Sequence, residues 1–426
     1  MNRLELAPDG STGTRGDAAL YPWPTVPGRT AVLHTDIGWS MGELGPAEPA
    51  AKDLLRIVAA AYLADQTVSR PELAMRRDLH IIAHLEQPQA FTQDALDRFA
   101  DLLHWLTGDN WRIDIVAAHP TAEQTHLDPS AEFFAGIDSV SLLSGGLDSL
   151  CGALLHLDNA ATTLFLGHRD ASTAVRRAQE TIKTALTQRQ PETTYLRYAF
   201  RPLTARRETT PRSRSLLFMA MAAVLASGHR ATRILVPENG FTSINPPLEP
   251  SRGGPLTTRS THPWTFYTLQ QLLDTLPLRP LSITNPYATM TKGDLVAGAL
   301  RPGSVDDLSL AAATMSCAKP NAGRLPGGNA NLNCGLCIAC LVRRGAFVGA
   351  QRSDQTAYLV NTLPESARGR LLHLRRHDIA ARAYAIAAGF DEYRVIASGL
   401  WPPHTDFDAV LTICNRGLEE LARVTI

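Results

Sequence analysis

The chain is short of lysine and cysteine and has no surplus of either charge, and each shortage narrows what it can do. Only Lys52, Lys183, Lys292 and Lys319 are lysine among 41 basic residues, and 41 acidic residues balance them to a net charge of zero. A neutral chain has no global attraction for nucleic acid or anionic lipid, which leaves only a local basic groove for such partners. No apolar run reaches the roughly 18 residues of a membrane span; the best, over 219–226, is too short. The first 18 residues are polar and lack the apolar core of a secretory signal. The expectation is a cytoplasmic protein with no membrane partner. Six cysteines in such a chain do not suggest a disulfide scaffold. With 426 residues, 44% of them apolar, the chain has material for two or three domains.

The most informative segment that is present follows an apolar strand at 140–143. It reads Ser144-Gly145-Gly146-Leu147-Asp148-Ser149 and runs into a helical pattern, with Leu150, Ala153, Leu154 and Leu157 on one face. Two glycines allow a tight turn whose N–H groups approach an anion. The serine hydroxyls and the following helix N-terminus add donors and partial positive charge. This is a pyrophosphate cradle. It lacks the lysine of the Gly-x-x-x-x-Gly-Lys-Ser/Thr loop, so it does not predict a γ-phosphate grip of the kinase or GTPase kind. An ordinary strand-to-helix turn is the plainer reading of the same residues.

Cys317, Cys334, Cys337 and Cys340 form a C-x16-C-x2-C-x2-C pattern. Four thiolates can close a tetrahedral Zn²⁺ shell. Buried apolar thiols or disulfides are the alternatives. Four of six cysteines falling in this one stretch favours the metal. Cys151 and Cys414 read as core thiols.

Along the chain, residues 1–30 are rich in Pro, Gly, Asp and Thr and read as an irregular N-terminal arm. Residues 31–130 mix strand patterns (31–34, 79–85, 111–116) with helical ones (53–63, 93–105) and read as a small α/β accessory domain. Its histidines, His80, His84, His104 and His119, have no metal-ligand spacing. From 136 to 350 strands (140–143, 163–167, 194–198, 233–236, 281–284) alternate with helices (150–157, 173–188, 213–227, 263–276, 292–299). That alternation predicts an α/β fold with a parallel sheet and crossover helices, and ligands at the strand carboxyl ends. Residues 351–426 read as a mainly helical C-terminal region, with helices over 378–388 and 418–424.

The phosphate loop resembles the PP-loop of the nucleotide alpha hydrolases, Rossmann-like enzymes that split ATP between its α and β phosphates. Further blocks, in order, are Arg214-Ser215-Leu216-Leu217-Phe218, Val236-Pro237-Glu238-Asn239, Lys292-Gly293-Asp294-Leu295, Thr314-Met315-Ser316-Cys317 and the run from Cys334 to Arg343. With the loop and the cysteines they resemble the QueC-like 7-cyano-7-deazaguanine synthase family over residues 136–350. The chain departs from the family pattern at Asn245-Pro246-Pro247-Leu248, at Thr242, at Ser215 and in having residues 31–130. These departures are similar to those of the QatC-type branch found in bacterial Qat anti-phage systems.

The resemblance implies ATP, Mg²⁺ and Zn²⁺ as cofactors and a C–N ligase that forms AMP and pyrophosphate. A 7-carboxy-7-deazaguanine-like acid would be adenylated and converted by ammonia to an amide or nitrile. Ser144, Gly145, Gly146, Leu147 and Ser149 would hold phosphates, Asp148 would hold Mg²⁺, and Gly167 and His168 would face adenosine. Lys292 and Arg214 would offset charge at the α-phosphate. Glu238, Asn239, Phe241 and Asn245 would line the substrate site. Other readings stay open: ligation of the adenylated deazaguanine to an amine of a defence-operon partner protein, or a nucleotide- or deazapurine-sensing subunit without turnover. RNA thiolation is disfavoured by the neutral charge and by Cys151 lying in a helical pattern.

Overall fold

The computed structural model describes residues 2–14, 16–70, 76–118, 136–169, 172–204, 208, 212–250 and 258–426. Two sheets are present. The first has the order β2 (Ala19–Trp23), β1 (Asn2–Pro8), β5 (Asp78–Leu85), β6 (Asn110–Ala117), all parallel. The second has the order β11 (Ser282–Thr284), β10 (Arg233–Leu235), β7 (Ser139–Leu142), β8 (Thr163–Arg169), β9 (Thr194–Pro202), β4 (Leu33–Thr35), β3 (Gly28–Arg29). Its first five strands are parallel, and β4 and β3 close the edge antiparallel.

The helices are α1 (Pro49–Thr67), α2 (Gln93–Thr107), α3 (Leu147–Leu155), α4 (Thr173–Arg189), α5 (Arg214–His229), α6 (Gly240–Ile244), α7 (Pro263–Thr275), α8 (Lys292–Ala299) and α9 (Val305–Ala312). They continue with α10 (Ile338–Gly349), α11 (Leu359–Thr362), α12 (Glu365–Leu374), α13 (Arg376–Ala388), α14 (Glu392–Ile396) and α15 (Phe407–Ala422). Thus the expected α/β class with a parallel sheet and crossover helices is what forms, and the C-terminal region is helical.

Two expectations about the N-terminal part do not hold. Residues 1–30 are not an irregular arm: β1 is an interior strand of the first sheet, and β2 pairs with it. Leu4 and Leu6 alternate with Glu5, the period of a strand, but Glu5 is charged and the flanking residues are turn formers. Burial of Glu5 is made possible by His84, whose Nε2 lies 2.7 Å from Oε1, and by the Thr14 N–H at 2.9 Å. Nor are residues 31–130 packed as a separate unit. β4 leaves for the second sheet, and α1 is buried along nearly its whole length, between residues of both sheets. One apolar core runs from Leu4 and Ile81 through Ile57 and Leu217 to Val140 and Ile234. A helix that is apolar on all sides belongs in such a place, and α5 is of this kind; α1 is buried with its charges paired, Arg56 to Asp53 (2.6 Å) and Asp65 to Arg77 (2.6 Å).

The second sheet sets the site. From β7 the chain moves through β8 to β9 on one side, then returns to place β10 and β11 on the other. The topological switch lies between β7 and β10, and the crevice at the carboxyl ends of such strands is where α/β sheets take ligands.

Candidate active site

The turn after β7 is shaped by Gly145, whose φ of +94° suits glycine alone; a Cβ there would also stand 3.1 Å from Gln179 Cγ. The turn is held from both sides. Gln179 Nε2 donates to Ser144 O (3.2 Å), and Met315 N–H donates to Gly145 O (3.0 Å). Gly146 caps α3 without a side chain, Ser149 Oγ donates to Gly146 O (3.0 Å), and the Ser144 and Ser149 hydroxyls lie 3.2 Å apart. Two amides of the turn make only long contacts: Gly146 N–H to Ser144 Oγ and Leu147 N–H to Ser316 Oγ, each 3.4 Å. Weakly engaged amides at a helix start suit an anion. Further along α3, Gly152 lets Pro237 come so close that a Cβ would meet it at 2.5 Å.

This turn opens on a cavity of about 880 Å³. Ser144, Gly146, Leu147, Asp148 and Ser149 form one wall. Arg214, Glu238, Phe241, Asn245 and Lys292 also line it. Asn239 is fully buried behind them as the cap of α6, accepting from Thr242 N–H (2.9 Å). Ten of the residues expected around the phosphates and substrate therefore share one cavity, with Asn239 supporting it. Gly145 shapes the turn from behind.

Gly167 and His168 do not line the cavity. Strand β8 runs on to Arg169, with His168 paired to Tyr198, so both residues are inside the sheet rather than in a loop. A Cβ on Gly167 would strike Tyr195 Oη at 2.5 Å, and His168 packs against Tyr62 and Phe218.

At the cavity floor Lys292 Nζ donates to Asp148 Oδ2 at 2.7 Å. Asn239 Nδ2 lies 3.2 Å from the same oxygen and 3.3 Å from Glu238 Oε1. Burial pushes the Asp148 carboxyl up, but the Lys292 charge and the hydrogen bonds from Glu238, Lys292 and Asn239 together outweigh it and hold the group below its usual range. Burial lowers Lys292 and the two acids more than restore it, so it is held above its usual value. Burial and the neighbouring Asp148 charge hold the Glu238 carboxyl well above its ordinary range. Asp148 Oδ1 is buried without a hydrogen-bond partner among the described residues. A bare carboxylate oxygen beside a second carboxyl fits a hard cation such as Mg²⁺.

Lys292 is placed by two devices. Thr291 and Asp294 form a reciprocal capping box at the start of α8. Glu420, from α15, accepts the Gly293 N–H (3.0 Å) and bonds to Thr291 Oγ1.

The four cysteine sulfurs lie within 4.8 Å of one another. Cys317–Cys337 and Cys334–Cys340 are each 3.9 Å apart. Sulfurs about 2.3 Å from a tetrahedral zinc stand about 3.8 Å from each other, so the cluster could hold a metal such as zinc. Gly335 turns at φ +86° and the Cys337 N–H donates to Cys334 Sγ at 3.3 Å. All six cysteines are free thiols, and burial pushes those of Cys151 and Cys414 up. Cys337 also lines the cavity. Arg343 is buried and does not face the thiols as a counter-charge. It donates to Thr314 Oγ1 (2.6 Å), Ser316 Oγ (3.1 Å) and Ala311 O (2.6 Å), fastening the segment that clamps Gly145 and Leu147.

The accessory histidines have polar partners and no metal arrangement: His80 with Asp114 (2.8 Å), His84 with Glu5, and His104 with Asp109 O (2.8 Å). His119 lies outside the described residues. Sequence reasoning missed Met315 and Ser316 as clamps of the turn, and Lys319 and Asp378 as cavity residues. Ser316 adjoins the first cysteine and could have been found from it; Asp378 has no local signal. No helix among the described residues is long and apolar enough to cross a membrane. No family model, curated protein or solved structure matches the chain.

Proposed function

We propose that the chain is an ATP-dependent C–N ligase that adenylates a 7-deazapurine carboxylic acid of the 7-carboxy-7-deazaguanine kind. The reading that follows from the resemblance places it in bacterial anti-phage defence. In the reaction, a substrate carboxylate oxygen attacks the α-phosphorus of ATP, the α–β bridging bond breaks, and pyrophosphate leaves. Ammonia then attacks the acyl carbon, AMP leaves and an amide remains; a second ATP would drive loss of its oxygen to give the nitrile.

The observation that carries this reading is the lysine-free Ser-Gly-Gly turn at the switch point of the sheet, facing a cavity with Asp148, Lys292 and Arg214. The turn amides and the Ser144 and Ser149 hydroxyls would receive the leaving diphosphate. Mg²⁺, where bound, would screen phosphate charge from Asp148 Oδ1. Arg214 and Lys292 supply fixed positive charge where negative charge develops, and preorganised charge of this sort lowers barriers without reorganisation. The apolar walls position the acid.

The test is to mix the protein with Mg-ATP and 7-carboxy-7-deazaguanine, with and without ammonium, and to quantify nucleotide products. AMP and pyrophosphate in equal amounts, dependent on the acid, support adenylation. ADP and phosphate, or no acid dependence, would refute it. Asp148→Ala is expected to abolish AMP formation while circular dichroism stays native.

A further inference from the structure

Between the end of α9 and the first cysteine the chain runs extended through Thr314, Met315 and Ser316. Such a stretch has no helix of its own to satisfy its backbone, so its polar groups need outside partners. Along an extended chain these groups point alternately to opposite sides, and here the two sides meet different partners. On one side the Met315 N–H donates to Gly145 O (3.0 Å) in the turn after β7. On the other, the Ser316 N–H donates to Asn333 Oδ1 (3.0 Å), and Asn333 Nδ2 donates to Thr314 O (3.1 Å). A carboxamide carries a donor and an acceptor on one carbon, so Asn333 stands in for a neighbouring strand. Its side chain is buried, and its own O accepts the Leu359 N–H (2.9 Å) at the start of α11. Both strips end in the cysteine cluster: Cys317 follows Ser316, and Cys334 follows Asn333. A further tie comes from Arg343, one turn past Cys340 on α10, which donates to Thr314 Oγ1 and Ser316 Oγ.

We propose that Asn333 is a positioning residue that couples the cysteine centre to the anion-binding turn. A metal on Cys317 and Cys334 would cross-link the two strips next to the Asn333 carboxamide. That carboxamide carries the constraint across to Thr314 and Ser316, and the Met315 N–H delivers it to Gly145 O. With the cluster closed, the Gly146 and Leu147 amides are held where an anion in the cavity can meet them. Coupling between two sites is reciprocal, so an anion bound at the turn tightens the cluster in return. The inference rests on the adenylation reading only in taking ATP as the ligand of the turn.

The experiment uses the full chain as wild type, Asn333→Ala and Asn333→Asp. It reads zinc content and zinc affinity by competition with a chelator, Mg-ATP affinity by calorimetry, and hydrogen exchange at the Met315 amide. Asn333→Ala lacks both bonds and should keep its metal, yet exchange Met315 about tenfold faster and bind Mg-ATP about tenfold more weakly, the scale of two buried hydrogen bonds. Asn333→Asp keeps the acceptor for Ser316 but sets a carboxylate against Thr314 O; it should move both quantities in the same direction and is the variant to read where Asn333→Ala does not fold. In the wild type, saturating Mg-ATP should raise zinc affinity about fivefold or more. In the variants that factor should fall towards one, which a mere loss of stability does not produce. A wild type that holds no metal, or that binds ATP without the reciprocal gain in zinc affinity, would overturn the proposal. So would folded variants with wild-type Met315 exchange. Faster Met315 exchange in the variants of a wild type that binds no ATP would sink the adenylation reading alone. AMP formation by the wild type with no change in the variants would sink this one alone.

Discussion

Replacing Lys292 by methionine isolates the electrostatics at the cavity floor. The substitution keeps an unbranched apolar stem and removes the ammonium 2.7 Å from Asp148 Oδ2. The side chains of Lys292 and Asp148 are 7% and 10% exposed, so water from the cavity replaces the lost partner poorly. Asn239 Nδ2, at 3.2 Å, is the neutral donor that remains. Removing one member of a buried pair costs about 3–5 kcal/mol. Asp148 has one escape, which is to take up a proton. From an ordinary value of 3.8, that costs about 1.4 kcal/mol for each pH unit above it, so roughly 4 kcal/mol at pH 7 and under 2 at pH 5. The sign is fixed by direction. In the wild type the Asp148 pKa is lowered, so its contribution is complete above the unfolded value and fades only as pH falls below it. The stability gap between wild type and Lys292→Met is therefore widest at pH 7 and narrows by more than half at pH 5. Urea titrations at both pH values measure this. Lys292→Met with Asp148→Asn should recover at least 2 kcal/mol of the single-variant loss. A gap independent of pH, together with no recovery in the double variant, would refute the buried-pair argument.

Three further outcomes are expected. The Glu238 carboxyl is held well above its ordinary 4.5 when folded, so stability falls as pH rises from that value; Glu238→Gln should lose less stability than the wild type between about pH 4 and pH 7 in denaturant titrations, and equal slopes would refute the raised value. Cys337→Ser should lose the one metal ion per chain that elemental analysis is expected to find in the wild type, and should lose soluble yield; a stable metal-free variant would count against a structural centre. His262 is buried between Trp105 and Trp401, and burial, with Arg259 second, lowers its pKa to about 3. The unfolded chain alone binds that proton between pH 6.5 and 3, so wild-type stability drains as pH falls through this window, and His262→Phe should show a shallower acid slope in thermal melts.

Much of the second sheet could be read from local pattern, because its strands and crossover helices switch cleanly between periods. Strands expected at 140–143, 233–236 and 281–284 appear at Ser139–Leu142, Arg233–Leu235 and Ser282–Thr284. The Ser-Gly-Gly turn and the cysteine cluster were legible for the same reason: their chemistry is written in consecutive residues. What escaped was set by distant partners. Glu5 reads as surface until His84 is known to meet it. The length of β8 depends on pairing with β9, which carries His168 into the sheet. Lys292 and Asp148 were each suspected singly, but their direct bond joins residues 144 apart. Asp378 belongs to a helix with no motif at all, and only the closure of the C-terminal region over the cavity brings it there.

The reach of Glu420 back to α8 has a consequence for synthesis. Its carboxylate serves the Gly293 amide from 127 residues downstream. At a ribosomal pace of about 5–20 residues per second, roughly 6 to 25 seconds separate the two. During that interval α8 lacks this acceptor, and the lysine it carries is not yet held against its aspartate from behind. The floor of the cavity is thus completed late in translation, only as α15 docks.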